Sequence, residues 1–215
     1  MFSTTSFFSI DQEQRFIERS IGKFQVKDKH NYQYLSAYIF CSYYGDFAYF
    51  SARLFNTKSQ LHELIGSIAL EYIKSLNPIK KGNEKENQYY KHTDAVGFIC
   101  INTLDSNGEY RGVGTALMQV AIEYSFLKGC LGRIQLESID DSCPFYYNQI
   151  KMSFIEDHES LQERIKNIHK RSSVNYGSHD MYLSEESIQE WKTKILFNPI
   201  LQTTKEQFYP ASKVS

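Results

Sequence analysis

Apolar positions recur along the chain in two rhythms, and the changes of rhythm mark its elements. Residues 11–21 place Phe16, Ile17 and Ile21 at helical spacing and predict a short amphipathic helix. From Phe24 to Phe55 the chain turns β-rich. Residues 34–44 and 47–55 are dense in Tyr, Phe, Ile, Leu and Ala and flank Tyr44-Gly45-Asp46, which suits a hairpin turn. Residues 58–76 predict a helix, with Leu61, Leu64, Ile65, Ile68, Tyr72, Ile73 and Leu76 on one face. Thr57 and Gln60 have the spacing of a capping box, and Asn77-Pro78 would end that helix. The polar, mixed-charge stretch 79–94 reads as a loop inside one domain.

The pattern then becomes more regular. Residues 95–104 form an apolar run of strand length, followed by the turn cluster Asp105-Ser106-Asn107-Gly108. Residues 112–128 predict a glycine-led helix with Leu117, Val120, Ala121 and Tyr124 inward and Gly129 at its C-terminal cap. Residues 133–139 alternate Ile134, Leu136 and Ser138 with Gln135 and Glu137, as a strand does. Strand, glycine loop, helix and strand together predict a β-α-β unit. Further on, residues 179–183 predict a strand and 184–195 a capped helix with Trp191 inward, before a loose tail over 201–215. No internal repeat is present.

Composition narrows the class. The chain has 215 residues, 41% hydrophobic and 23% charged, enough to bury one sizeable core. Lys+Arg 24 against Asp+Glu 25 gives a net charge of −1, which carries no signal for nucleic acid or an anionic membrane. Cys41, Cys100, Cys130 and Cys143 are scattered without a C-x-x-C pair, so neither a disulfide framework nor paired-cysteine zinc ligation is indicated. The six His include no H-x-x-x-H pair, and no metal is expected. The Phe7-Phe8 patch is too short and too rich in Ser and Thr for a signal peptide, and no apolar stretch has transmembrane length. These features predict a soluble, cytoplasmic protein.

The segment that carries chemistry is Tyr110-Arg111-Gly112-Val113-Gly114-Thr115-Ala116-Leu117-Met118. A P-loop would need a Lys-Ser/Thr pair after its last glycine, and none follows. The dinucleotide fingerprint would need glycine at Leu117 and a tight strand-to-Gly112 junction, where the 105–109 turn intervenes. The string fits Q/R-x-x-G-x-G/A instead, with Arg111, Gly114 and Ala116 at the fixed places. This resembles the acetyl-CoA pyrophosphate loop of the GNAT family of N-acetyltransferases. Backbone N–H groups and a helix N-terminus would face a diphosphate, and the small residues would let the backbone approach it.

A second stretch extends the resemblance. Asp140 stands at the strand end where the family has Asn, Cys143 at a small-residue place, Tyr146-Tyr147 at the Phe-Tyr place and Lys151-Met152-Ser153-Phe154 at the Gly-aromatic close. His179-Asp180-Met181-Tyr182-Leu183 resembles the family's last core strand. Asp140 for Asn and Lys151 for Gly are departures from the pattern. The resemblance implies an α/β fold: a GNAT-like mixed, twisted β-sheet flanked by helices, in one domain spanning 23–200. Residues 95–183 would be its recognisable core and 156–180 an insertion. Residues 1–22 would be an N-terminal helical segment.

The resemblance also implies direct acetyl transfer from acetyl-CoA, as cosubstrate, to a primary amine of a small molecule or a protein. The amine must lose a proton, the oxyanion needs donors, and the leaving thiolate needs a proton or a hydrogen bond. It assigns cofactor contacts to Thr103, Leu104, Arg111, Gly112, Val113, Gly114, Thr115, Ala116, Asp140 and Tyr147. Tyr147 would be the general acid, with Tyr146 as the alternative register. A phenol with a pKa near 10 suits a departing thiol. Glu137 would act as base through water. Glu109 and Asp105 read as structural, and Cys143 as a packing residue, because direct transfer needs no acyl-enzyme. A CoA-binding module without catalysis, a different acyl-CoA donor and a homodimer are left open by these residues.

Overall fold

A computed structural model describes residues 19–56, 59–74, 97–139, 142–155 and 178–194. Its strands are β1 (Arg19–Asp28), β2 (Tyr34–Tyr44), β3 (Phe47–Asn56), β4 (Leu61–Ile73), β5 (Phe98–Ser106), β6 (Tyr110–Arg111), β7 (Ile134–Ile139), β8 (Met152–Phe154) and β9 (Ser178–Leu183). The helices are α1 (Val113–Leu127) and α2 (Glu185–Lys192), with a π-helical turn at Phe145–Ile150. All nine strands join one sheet in the order β6-β1-β2-β3-β4-β5-β7-β9-β8. Only β5 and β7 run parallel; every other neighbouring pair is antiparallel.

The expected α/β architecture, a GNAT-like sheet flanked by helices, is not the one adopted. The described residues are predominantly β, an open mixed sheet with few helices. The largest single departure is 58–76, where β4 replaces the expected helix. Leu61 and Leu64, which the helical pattern counted on its inward face, are exposed, and a β-bulge supplies the rest of the helix-like spacing. Ala52 lies opposite Gly66 and Arg53 opposite Leu64, so Ile65 is an extra residue in β4. One inserted residue breaks the period of two and spaces Ile65 from Ile68 as a helix would. Past the bulge, Ile68 and Leu70 alternate inward, fully buried. Gln60, expected in a capping box, sits in a left-handed turn at φ 58 and donates its N–H to the Asn56 carbonyl (2.8 Å).

Two smaller departures follow. Arg19, Ser20 and Ile21 belong to β1 rather than to a helix; the rest of the expected 11–21 helix lies outside the described residues. Asp105 and Ser106 extend β5 instead of starting a turn. The 79–94 loop, the 201–215 tail and most of the 156–180 insertion also lie outside the described residues.

The β5-α1-β7 unit forms as the pattern predicts. Helix α1 covers one face of the sheet, resting on β3, β4, β5 and β7. Beneath it Phe50, Ile68, Leu70 and Ile99 are fully buried, as is Leu117 of α1 itself, each contributing about 1.5–3 kcal/mol. Tyr124 closes this core, stacked on Tyr43 at 5.9 Å and edge-on to Phe50 at 5.7 Å. Helix α2 starts at Ser184, whose hydroxyl accepts the Ser187 N–H, and Trp191 points inward to donate its indole N–H to the Ile150 carbonyl (2.9 Å).

Candidate functional site

The parallel pairing of β5 and β7 is short. It runs from Ile99–Ile134 to Ile101–Leu136 and stops there, although β5 continues to Ser106 and β7 to Ile139. Next to the last pair, β5 carries a bulge. Ala69 lies opposite Thr103 and Leu70 opposite Ile101, which leaves Asn102 as the extra residue. The sheet therefore opens at the C-terminal ends of its two parallel strands.

The start of α1 stands at that opening. Gly112 takes a left-handed conformation (φ 95, ψ −12), which glycine adopts without strain. It is the N-cap and brings no side-chain acceptor. The first α1 bond runs from the Ala116 N–H to the Gly112 carbonyl (3.0 Å), so the N–H groups of Val113, Gly114 and Thr115 have no partner within the helix. No acidic residue lies in this first turn to occupy them. Such an end attracts an anion.

A cleft of about 520 Å³ lies here, lined by Lys29, Leu104, Ser106, Tyr110, Arg111, Gly112, Gly114, Thr115, Ser142, Phe145, Tyr146 and Gln149. Gly114 packs against the Phe145 ring; a Cβ there would stand 3.0 Å from Phe145 Cζ. Ser142 ties the chain beyond β7 back to its strand, donating to the Ile139 carbonyl at 2.7 Å.

Of the residues expected to touch a cofactor, Leu104, Arg111, Gly112, Gly114 and Thr115 line this cleft together. Val113 is buried in the core beneath α1, and Ala116 is half-buried against it. Thr103 is exposed beside Ala69 and does not line the cleft. Asp140 lies outside the described residues. Glu137 is exposed on β7, one residue past the end of the parallel pairing, and accepts a hydrogen bond from the Ser178 hydroxyl.

The two tyrosines separate. Tyr147 stacks on Phe154 at 5.6 Å and does not line the cleft. Tyr146 lines it, is 6% exposed, and uses its hydroxyl in no hydrogen bond among the described residues. Burial pushes the Tyr146 phenol up to about 12, and the nearby Asp105 carboxylate adds to the rise. It therefore keeps its proton throughout the neutral range. Cys143 is fully buried and burial raises its thiol, against a hydrogen bond with Ser138, which fits a packing residue.

Sequence reasoning assigned no site role to Lys29, Ser106, Tyr110, Ser142, Phe145 and Gln149, which line the cleft. Lys29 reaches the cleft through pairing between segments far apart in sequence, so no local pattern marks it. Among the described residues no group of three or more His, Cys, Asp or Glu is placed to hold a metal ion. No described helix is long and apolar enough to cross a membrane. No protein-family model matches the chain, and no curated protein matches it.

Proposed function

We propose that the cleft binds acetyl-CoA and that the chain transfers the acetyl group to a primary amine. The observation that carries this reading is the convergence of an uncapped helix N-terminus, Arg111 and the end of β5, past its pairing with β7, on one cleft. The reading rests on the site and not on the fold, since unrelated sheets can present the same site.

The residues divide the work as follows. The N–H groups of Val113, Gly114 and Thr115 meet diphosphate oxygens, and Arg111 adds a full positive charge. Glycine at 112 and 114 keeps the backbone within hydrogen-bond reach of them. Leu104 borders an extended arm leading toward the gap between β5 and β7. The thioester supplies an activated acyl carbon. Tyr146, protonated and cleft-lining, donates a hydrogen bond to the departing sulfur. Glu137, on the strand rim, takes the amine proton through water.

Calorimetry with acetyl-CoA, followed by a thiol-release assay over a panel of primary amines, tests this. Saturable binding and amine-dependent thiol release are expected. Absence of binding would sink the reading. Binding without release on any amine would leave a CoA-binding module, and preference for propionyl- or longer acyl-CoA would change the donor.

A further inference from the structure

We infer that Lys29, on the turn between β1 and β2, is a second cationic phosphate-binding residue of the cleft, acting beside Arg111. This rests on the acyl-CoA reading above and adds to it a residue outside the glycine loop. Strand β1 ends against the loop: Lys27 pairs with Arg111 and Asp28 with Tyr110. The next residue, Lys29, donates its backbone N–H to the Glu109 carbonyl (3.0 Å). The turn is fixed from within as well. The Asp28 carboxylate accepts the N–H groups of His30 (2.7 Å) and Asn31 (3.3 Å), and the Asn31 side chain accepts that of Gln33 (2.9 Å). The Lys29 backbone is therefore held at a set distance from Arg111 and the start of α1.

The neighbouring cation does not compete for this role. Lys27 Nζ lies over the rings of Tyr32 (5.2 Å) and Tyr34 (5.6 Å), which engage its charge. Lys29 lines the cleft itself, and no ion pair among the described residues engages it. A lysine ammonium acts on phosphate as a point charge with three donors, so it needs proximity rather than a planar match. An independent feature marks the same cleft as a ligand site: Tyr146, 6% exposed, lines it without a hydrogen-bond partner for its hydroxyl among the described residues.

The test is calorimetric titration of the full chain and of Lys29→Ala and Lys29→Arg with CoA and with 3′-dephospho-CoA. A thermal melt of each variant verifies the fold. Lys29→Ala is expected to weaken CoA binding about tenfold, and Lys29→Arg, which keeps the charge, to restore most of it. A loss that persists with 3′-dephospho-CoA assigns Lys29 to the diphosphate, and a loss confined to CoA assigns it to the 3′-phosphate. Both support the inference. Equal affinities of Lys29→Ala and wild type for CoA would overturn it and leave the acyl-CoA reading standing. Failure of the wild type to bind CoA would remove that reading and the inference together.

Discussion

Gly66 of β4 lies directly under Val113, the first residue of α1: a Cβ on Gly66 would stand 2.6 Å from Val113 Cγ1 and 2.8 Å from the Asp105 carbonyl oxygen. The absence of a side chain lets the helix start settle onto β4 and β5, next to Gly112 and Gly114, which line the cleft. Gly66→Ala is expected to destabilise the fold by about 1–3 kcal/mol through overpacking. It should also weaken CoA binding by tilting the first turn. Urea denaturation and calorimetry read the two effects, and wild-type stability in the variant would contradict the close fit.

Tyr146 and Tyr147 are adjacent, yet one lines the cleft and the other stacks on Phe154. Tyr146→Phe is expected to slow thiol release about 10²-fold with little change in KM for acetyl-CoA, because it removes a donor used only as the sulfur departs. Tyr147→Phe keeps the stacked ring and should leave kcat within about twofold. The opposite ranking in the thiol-release assay would return the acid role to Tyr147.

The β5-α1-β7 unit was legible because its signals are local: a strand run, two glycines and a helix with a clear inward face. The glycine loop at 112–116 was legible for the same reason. β4 was not, because a bulge at Ile65 disguises a strand's period as a helix's, and only pairing with β3 exposes it. Lys29 was invisible because its place depends on β1 meeting β6, a contact between distant segments. The tyrosine register was half legible. Spacing from Asp140 and Cys143 selects Tyr147, whereas a π-helical turn rotates successive side chains differently from an α-helix and leaves Tyr146 on the cleft.

Lys151 stands where the resembled family pattern has glycine, and its backbone shows why glycine suits the place. It caps the π-helical turn in a left-handed conformation (φ 67), which strains a residue with a Cβ. Its carbonyl accepts the Ser187 hydroxyl (2.6 Å), so the turn is anchored to α2 whatever side chain stands there. Lys151→Gly is expected to stabilise the protein by about 1 kcal/mol, the relief exceeding the entropy that glycine adds to the unfolded chain. Chemical denaturation measures this, and a loss of stability would show that the lysine side chain contributes more than its backbone costs.

Gly114→Glu tests the anion site most directly. A carboxylate there would lie beside N–H groups that are to receive phosphate, and its Cβ would press on Phe145 at 3.0 Å. CoA affinity should fall at least about 10²-fold, through charge repulsion and loss of backbone approach. Gly114→Ala separates the two causes: it adds the contact without the charge, and a loss of about tenfold or less is expected. Affinity unchanged in both variants would remove Gly114 from the site.

Stability should decline on the alkaline side in two stages. Burial pushes the Cys130 thiol from 9.0 up to about 12, Arg133 and Lys128 opposing the rise, and burial with Asp105 pushes the Tyr146 phenol from 10.0 up to about 12. Below the ordinary thiol range both groups are protonated in the folded and the unfolded chain, so pH has no effect through them. As pH rises past about 9, the unfolded chain releases the Cys130 proton that the folded chain retains, and stability falls. Past about 10, Tyr146 adds a second contribution of the same sign, and both level off near 12 as the folded groups ionise. Melting temperatures between pH 8 and pH 12 follow the decline. Cys130→Ala should shallow the limb that begins near pH 9, which the Cys100 and Cys143 thiols, also raised by burial, sustain in part, and Tyr146→Phe should shallow the upper limb. A decline above pH 9 as steep in Cys130→Ala as in the wild type would mean that the thiol is not shielded in the folded state.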